Sequence, residues 1–223
     1  MDAYLAVPAA GKARNGKAVL YISDVNGVWQ NSKLLADQYA ANGYLCLIPD
    51  LFDGDKYALN LPLNNTVLDW VARGTNGKSP HTLKEVEPKV VESIKYLQSE
   101  HGITKIGAVG YCFGAKYVVR NMKGPGSIDA GFVAHPSFVE EQEVENMVGP
   151  FSIAAAETDS IFPEERRYKT EEILKKKGQI YNISLYSGVS HGFAARGDMS
   201  KPVERWAKEE AFFQAVRFFD AWL

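Results

Sequence analysis

The sequence predicts a single α/β domain with a mostly parallel, doubly wound sheet flanked by helices. Short apolar runs alternate with helical patterns along most of the 223 residues, as in consecutive β-α-β units. The runs are continuously apolar, which is typical of strands buried on both faces rather than of half-exposed antiparallel strands. No internal repeat or low-complexity tract interrupts this order, so we expect residues 1–223 to form one domain.

Six apolar runs are expected to form the strands, and four segments with helical spacing are expected to form helices. The strands are Ala18–Ile22, Tyr44–Ile48, Lys105–Val109, Ala130–Ala134, Phe151–Ala155 and Tyr181–Tyr186. The helices are Asn31–Asn42, Glu85–His101, Pro163–Lys177 and Val203–Trp222. The third helix has the clearest ends, because it opens with Pro163 and two glutamates and closes with three lysines and Gly178.

The last helix is expected to carry an apolar stripe. Its members are Trp206, Phe213, Val216 and Phe219. Such a stripe faces either the core or another subunit, so the sequence leaves open whether the chain forms a homodimer.

The segment Leu51–Pro80 departs from the alternating pattern. It is rich in Gly, Pro and Asn, and its apolar residues are isolated. A long irregular segment after a strand is often a lid or a pocket wall, and short helices are compatible with this one. The alternative is a solvated loop without a chemical role.

Composition and charge exclude several classes of protein. Hydrophobic residues make up 46% of the chain, which rules out intrinsic disorder. The 25 basic and 27 acidic side chains give a net charge of −2 without a basic cluster, which argues against nucleic-acid binding. The uncharged run Ala3–Gly11 is too short to span a membrane and lacks the features of a signal peptide. We therefore expect neither a nucleic-acid nor a membrane partner, and a cytoplasmic location.

The cysteines and histidines indicate neither a disulfide framework nor a metal site. Cys46 and Cys112 form one disulfide at most. The four histidines are scattered, and no pair of Cys or His residues has the spacing of metal ligands. His81 is interpreted as a surface-loop residue and His101 as a helix-end residue. His135 is interpreted as a hydrogen-bonded residue at a strand end or, at most, as a residue that supports the catalytic side chains. No metal and no cofactor are predicted.

The strongest functional signal is the sequence Gly110-Tyr-Cys-Phe-Gly114. It lies between a predicted strand and a predicted helix and matches the nucleophile elbow of α/β-hydrolases, with Cys112 in place of serine. The glycines permit a sharp, strained turn. The start of the helix favours the thiolate of Cys112, and the N–H of Phe113 would point at a developing oxyanion. The alternative is a buried structural cysteine in a tight turn.

A nucleophilic cysteine requires a base, and the base requires an orienting acid. The order in α/β-hydrolases is nucleophile, acid, histidine. Asp159 follows the strand Phe151–Ala155, and His191 lies between the last strand and the last helix. Together with Cys112 they would lie at the carboxyl edge of the sheet, where open α/β sheets bind ligands. Glu157 is the rival for the role of the acid.

The loop after the first predicted strand is expected to complete the oxyanion hole. In this fold it supplies the second N–H, and Val25 is the expected donor. Asp24 lies close enough to influence Cys112 or His191, although a helix-capping or turn role is an equal alternative.

Five segments together resemble the dienelactone hydrolase family, in particular its eukaryotic branch. They are Gly110-Tyr-Cys-Phe-Gly-Ala-Lys116, Ala134-His-Pro-Ser137, Ala156-Glu-Thr-Asp159, Ser190-His-Gly-Phe-Ala-Ala-Arg-Gly-Asp198, and Leu34–Tyr44 followed by Pro49-Asp-Leu-Phe52. The resemblance covers nearly the whole chain. It implies one α/β-hydrolase domain that acts on lactones or small esters through a Cys-Asp-His triad.

The resemblance also implies a substrate-binding group around the triad. Asp24 stands where the family has an acidic residue that interacts with the cysteine. Arg196 stands close to the family's arginine that grips a substrate carboxylate, and Arg73 is the candidate for a second arginine. Tyr111, next to the cysteine, is assigned to the same substrate-binding and modulating group.

We therefore expect a hydrolase that cleaves a lactone or small carboxylic ester through a thioester acyl-enzyme. Its partner would be the small-molecule substrate alone. Because a fold does not fix a function, two alternatives are kept. One is a lyase or isomerase of a lactone-like metabolite with His191 as base, and the other is a thiol-based binding or redox-sensing protein.

Overall fold

The computed structural model describes residues 2–59, 61 and 65–223, and these build one seven-stranded sheet with helices on both faces. The strands are β1 (Ala3–Ala6), β2 (Lys17–Ile22), β3 (Leu45–Pro49), β4 (Lys105–Tyr111), β5 (Ala130–Ala134), β6 (Phe151–Thr158) and β7 (Tyr181–Ser190). The helices are α1 (Gln30–Ala41), α2 (Asn65–Arg73), α3 (Leu83–His101), α4 (Gly114–Asn121), α5 (Glu141–Asn146), α6 (Glu164–Lys176), α7 (Phe193–Arg196) and α8 (Pro202–Trp222).

The strand order is β1-β3-β2-β4-β5-β6-β7, and every neighbouring pair is parallel except β1 with β3. Two apolar clusters cover the two faces of the sheet. The predicted α/β-hydrolase type of fold, with its mostly parallel, doubly wound sheet, is therefore confirmed. The reversal of strand order at β2 and β4 produces the crevice at which such sheets bind ligands.

All six predicted strands and all four predicted helices are present, with ends shifted by a few residues. Strand β1 was not predicted. It has four residues and pairs through one edge only. Residues 3–7 form a continuous apolar run, but no helical pattern follows this run before the next strand, so it stands outside the β-α-β alternation on which the prediction was based.

The segment Leu51–Pro80 contains helix α2, and its residues 60 and 62–64 lie outside the described residues. Trp70 anchors this helix. Its ring packs edge-on against that of Phe52, with ring centroids 4.9 Å apart, and its indole N–H donates to the carbonyl of Asp55 at 3.0 Å. This part of the segment is therefore a packed helix rather than a solvated loop, and the role of the segment as a lid or pocket wall stays a prediction.

The predicted stripe of α8 is wrong for two of its four members. Val216 and Phe219 are buried, but Trp206 is 50% and Phe213 is 44% exposed. The face toward the sheet is built instead on Ala207, Ala211 and Ala215, whose small side chains let the helix lie close to the strands. Among the described residues, no helix has the length and apolar character needed to cross a membrane.

Candidate active site

Cys112 sits on a sharp turn between β4 and α4. Its φ is +50°, a left-handed conformation that costs energy for any residue with a side chain. The two glycines make the turn sterically feasible: a Cβ at Gly110 would lie 2.8 Å from the Cα of Ala115, and one at Gly114 would overlap the carbonyl oxygen of Ile22. The elbow geometry predicted from the motif is therefore present.

Three side chains from three loops form one chain of hydrogen bonds. The sulfur of Cys112 lies 3.2 Å from Nε2 of His191, and Nδ1 of His191 lies 2.9 Å from Oδ2 of Asp159. The second oxygen of Asp159 accepts from the backbone N–H groups of Ile161 and Phe162 at 2.9 and 3.0 Å. The carboxylate is thus fixed in the orientation that faces the imidazole.

The rival carboxylate is directed elsewhere. Glu157 lies two residues earlier on β6 and accepts from the N–H of Gly188 at 2.8 Å and from the hydroxyl of Ser187 at 3.1 Å. Glu157 is still on β6, whereas Asp159 follows the end of this strand, and the register of β6 with β7 is irregular between Ala156 and Thr158.

The electrostatics of the site favour charge on both the sulfur and the imidazole. Burial acts to raise the pKa of the Cys112 thiol, but the hydrogen bond and positive charge of His191, with the charge of Arg196, outweigh it and lower this pKa. Burial acts to lower the pKa of His191, yet its hydrogen bonds to Asp159 and Cys112 raise this pKa to about 9. Burial likewise opposes the ionised form of Asp159, but the hydrogen bond from His191 outweighs it and lowers the pKa of Asp159. The arrangement suits a thiolate–imidazolium pair.

The two predicted oxyanion donors lie in segments that meet at the elbow. The N–H of Phe113 opens α4, and Val25 lies in the loop after β2, which packs against the Gly114 side of the elbow. Within the described part of the chain, neither amide N–H has a hydrogen-bond acceptor. Both are therefore available as donors.

Asp24 and Arg196 form a buried ion pair beside the triad. The guanidinium Nη1 of Arg196 bonds Oδ2 of Asp24, whose other oxygen accepts from the N–H of Asn26 at 3.0 Å. Burial raises the pKa of Asp24 and the charge of Arg196 opposes that rise. Arg196 was expected to point at a substrate carboxylate, whereas its Nη1 is committed to Asp24; its Nη2 is buried and has no acceptor among the described residues. Asp24 takes the predicted turn role as well, through Asn26.

Two further residues expected near the substrate lie away from the sulfur. The ring of Tyr111 is buried on the opposite face of the sheet, where it stacks on Tyr21 at 4.9 Å and its hydroxyl lies 3.1 Å from that of Tyr39. Strand alternation sends Tyr111 there because its neighbour Cys112 points to the other face. Arg73 is exposed and pairs with Asp69 at 2.8 Å on α2.

Two histidines differ from their interpretation. His81 is buried rather than on the surface, since its Nε2 lies 2.9 Å from Asp55 and its ring packs on Trp70. His135 is fully buried, but its two ring nitrogens have no hydrogen-bond partner among the described residues, so the expected hydrogen-bonded role is wrong. Its ring meets that of His191 edge-to-face, with centroids 5.0 Å apart. His101 ends α3 as predicted.

One functional candidate was missed by sequence reasoning. The hydroxyl of Ser137 lies 3.3 Å from the sulfur of Cys112, and the backbone N–H of Ser137 donates to the carbonyl of Cys112 at 3.0 Å. The signal that could have found it is positional, because Ser137 follows β5, the strand paired with β4 that delivers Cys112.

A cavity of about 550 Å³ adjoins the site, a size suited to a small organic ligand. Cys112 itself is 3% exposed, and the cavity wall includes the chain neighbours of the site residues. The lining residues are Val71, His81, Thr82, Leu83, Phe113, Lys116, Tyr117, Phe138, Val139, Glu140, Ser160, Ile161 and Arg166.

The two cationic side chains of this wall, Lys116 and Arg166, differ in their ion-pair partners. The ammonium of Lys116 bonds the carbonyl of Phe138 at 2.9 Å and the carboxylates of Glu140 and Glu143 at 3.2 and 2.8 Å. Arg166, exposed in the first turn of α6, makes no ion pair with a described residue. The cavity is therefore mainly apolar and carries one uncommitted cation.

The arrangement can perform nucleophilic acyl chemistry. It has a sulfur on a strained turn, a base within hydrogen-bond reach, an acid that orients the base, and two N–H donors nearby. Within residues 2–59, 61 and 65–223, no group of three or more His, Cys, Asp or Glu residues is placed to hold a metal ion.

Comparison with known proteins gives the relatives of this chain. Residues 1–223 match the model of the Dienelactone hydrolase family. Hydrolase tropI from Talaromyces stipitatus is 43% identical over 100% of this chain and 87% of its own length, and Dienlactone hydrolase 1 from Gibberella moniliformis is 38% identical over 100% and 85%. A solved structure, the dienelactone hydrolase-like promiscuous phosphotriesterase P91 from metagenomic libraries, has a TM-score of 0.70 at 13% identity over 94% of this chain and 87% of its own. This last likeness is one of fold.

Proposed function

The chain belongs to the dienelactone hydrolase family, and we propose that it hydrolyses a carboxylic ester or lactone with Cys112 as nucleophile, His191 as general base and Asp159 as the orienting acid. The observation that carries the proposal is the unbroken line of hydrogen bonds from Cys112 through His191 to Asp159 at 3.2 and 2.9 Å. This is the relation of nucleophile, base and orienter that acyl transfer needs.

In the first step, the thiolate of Cys112 attacks the ester carbonyl. The tetrahedral oxyanion is stabilised by the N–H groups of Phe113 and Val25, each worth about 3–4 kcal/mol of barrier if it acts like other oxyanion donors. The C–O bond then breaks, and the leaving oxygen takes the proton that His191 carries. A thioester on Cys112 remains.

In the second step, His191 accepts a proton from water, and the resulting hydroxide adds to the thioester carbonyl. The C–S bond breaks, its electron pair returns to the sulfur of Cys112, and the carboxylic acid leaves. The proton stays on His191, so the thiolate–imidazolium pair is regenerated. Amides are poorer substrates in this scheme because their leaving groups need stronger protonation than a thiolate route provides.

The cavity beside the site is proposed to hold the acyl or alcohol part of the substrate. Its wall of Phe113, Tyr117 and Phe138 favours a flat or unsaturated molecule, and an ester would reach the sulfur along this wall. The buried pair of Asp24 and Arg196 is proposed to tune the site, because the charges of both residues act on the Cys112 thiol.

The test is hydrolysis of a panel of lactones and p-nitrophenyl esters by the wild type and by Cys112→Ala. We expect the substitution to lower turnover by several powers of ten. Cys46→Ala is the matched control, because Cys46 is a buried cysteine on β3 outside the site, and this variant is expected to keep wild-type turnover.

Reaction in ¹⁸O-labelled water identifies the reaction class. Hydrolysis incorporates the label into the acid, whereas a lyase or isomerase leaves it in the solvent. Undiminished turnover in Cys112→Ala would refute the mechanism. Alkylation of Cys112 in a wild type that turns over no ester would favour the thiol-sensing alternative instead.

A further inference from the structure

We infer that Ser137 is a further catalytic residue, whose hydroxyl donates a hydrogen bond to the sulfur of Cys112 and stabilises it as the leaving group in the second step. This inference rests on the proposed function. It is carried by the contact between the two side chains, with Oγ and Sγ 3.3 Å apart in a buried setting where Ser137 is 1% exposed.

The sulfur is held between two polar groups. His191 approaches through Nε2 at 3.2 Å, and Ser137 approaches through its hydroxyl at 3.3 Å. A thiolate has no proton to give and only accepts hydrogen bonds, so the hydroxyl must be the donor whenever the sulfur is charged. Hydrogen bonds to charged groups are stronger than those between neutral groups.

Three bonds attach the loop of Ser137 to the elbow. The N–H of Cys112 donates to the carbonyl of Ala134 at 3.1 Å, and the N–H of Ser137 donates to the carbonyl of Cys112 at 3.0 Å. The contact between hydroxyl and sulfur is the third. The position of Ser137 is therefore set by the backbone of the nucleophile itself.

The turn that carries Ser137 is strained on both sides. His135 has a φ of +39° and Phe138 a φ of +61°, and neither is a glycine. Such conformations persist only where the surroundings impose them, and they concentrate at functional sites. Here the strained turn brings three groups to the site: the ring of His135 packs on His191, the hydroxyl of Ser137 meets the sulfur, and Phe138 lines the cavity.

The hydrogen bond has different strengths along the reaction. It is strong to the resting thiolate and weak to the thioester sulfur, which carries no charge. When water has added and the C–S bond breaks, the electron pair moves onto the sulfur and the hydroxyl stabilises it again. Ser137 therefore favours the transition state of deacylation over the acyl-enzyme, whereas in acylation it stabilises the attacking thiolate and gives little net acceleration.

The experiment compares Ser137→Ala with Ser137→Thr, which keeps a hydroxyl, and with Ser152→Ala. Ser152 is an equally buried serine on β6, bonded to Gln214 rather than to the site. One readout is the titration of the Cys112 thiolate by its ultraviolet absorbance, which needs no substrate. The other is stopped-flow release of p-nitrophenol from p-nitrophenyl acetate, which separates acylation from deacylation.

We expect Ser137→Ala to raise the pKa of Cys112 by about one unit and to slow deacylation about tenfold, with acylation changed less than about threefold. A burst of p-nitrophenol should therefore appear or grow. Ser137→Thr should restore both values toward those of the wild type, and Ser152→Ala should change neither.

Equal slowing of both steps, or an unchanged titration in Ser137→Ala, would overturn the inference. If the wild type releases no p-nitrophenol from any ester of the panel, the proposed function fails and the catalytic role of Ser137 fails with it. The titration separates these results, since it reports on the hydrogen bond whether or not esters are turned over.

Discussion

Replacing Asp159 by asparagine tests the electrostatic core of the proposed mechanism. Oδ2 of Asp159 lies 2.9 Å from Nδ1 of His191, and its side chain is 1% exposed. The other oxygen can go on accepting from Ile161 and Phe162 in the variant, which fixes the new amide with its NH₂ group toward the imidazole. The substitution removes one charge with almost no change in shape.

The expected changes in the pKa of His191 and in turnover follow from the contact between Asp159 and His191. A buried hydrogen bond to a charged group contributes about 1.5–3 kcal/mol, and one pKa unit corresponds to about 1.4 kcal/mol. The pKa of His191, about 9 with Asp159 in place, should therefore fall by about one to two units. The amide also favours the imidazole tautomer with its proton on Nε2, which cannot accept a proton there, so turnover should fall by about 10³–10⁴.

The assay combines ester turnover with an NMR titration of ¹⁵N-labelled histidines. Glu157→Gln is the matched control, because Glu157 lies two residues before Asp159, near the end of β6, and bonds Ser187 and Gly188 instead of the imidazole. This control should keep wild-type turnover and leave the pKa of His191 unchanged. If Glu157→Gln lost as much activity as Asp159→Asn, or if Asp159→Asn left the pKa of His191 in place, the assignment of the acid would be wrong.

Three further predictions follow from the elbow, the cavity and the acid. Gly114→Ala should lower the melting temperature by about 6–12 °C, because the added Cβ would overlap the carbonyl of Ile22 and such overpacking costs about 3 kcal/mol. An unchanged melting curve by circular dichroism would contradict the elbow geometry. Arg166 lies on the cavity wall without an ion-pair partner among the described residues, so we expect it to attract a substrate carboxylate. Arg166→Gln should therefore raise KM about two- to fivefold for carboxylated esters and leave the KM of matched neutral esters unchanged. Lys175→Gln, at the far end of the same helix, should change neither, and equal effects of Arg166→Gln on both ester classes would exclude this role. The lowered pKa of Asp159 stabilises the fold above this residue's ordinary value of 3.8, and the contribution is lost as the pH falls through the lowered pKa. Urea unfolding should therefore show Asp159→Asn destabilised at pH 7, with a difference from the wild type that shrinks as the pH is lowered below 3.8. A difference that stays constant over this range would exclude the linkage.

Most of the fold could be predicted from the sequence because its signals are local. A strand buried on both faces is a continuous apolar run, so the central strands were found with ends correct to within a few residues. Strand β1 escaped because, although residues 3–7 are continuously apolar, no helical pattern separates them from the next strand, so they do not fit the β-α-β alternation. On α8, the alanines that face the sheet are less conspicuous than Trp206 and Phe213, which are large but half exposed, so ranking residues by hydrophobicity misplaced these two members of the predicted stripe.

The candidate site also has parts with local sequence signals and parts that depend on distant residues. The elbow around Cys112 is a local motif, and its glycines have a steric reason that can be read from five residues. His81 was misplaced because its burial depends on Asp55 and Trp70, which are 26 and 11 positions away (81 − 55 = 26; 81 − 70 = 11). Neither spacing follows from secondary structure, since Asp55 and His81 lie in irregular segments on either side of α2.

Ser137 could have been predicted from strand order, whereas the pairing of Arg196 with Asp24 could not. Ser137 was within reach, because neighbouring parallel strands end at the same edge and β5 adjoins β4, so the residue three positions past β5 meets the turn after β4. The pairing of Arg196 with Asp24 was not, since it joins positions 172 residues apart and depends on the rotamer of a long side chain. The guanidinium of Arg196 can pair either with a substrate anion or with a buried carboxylate that would otherwise lack a counter-charge. Which partner it takes depends on the free energy that burying Asp24 without a counter-charge would cost. That cost can be assessed only when the burial of Asp24 is known.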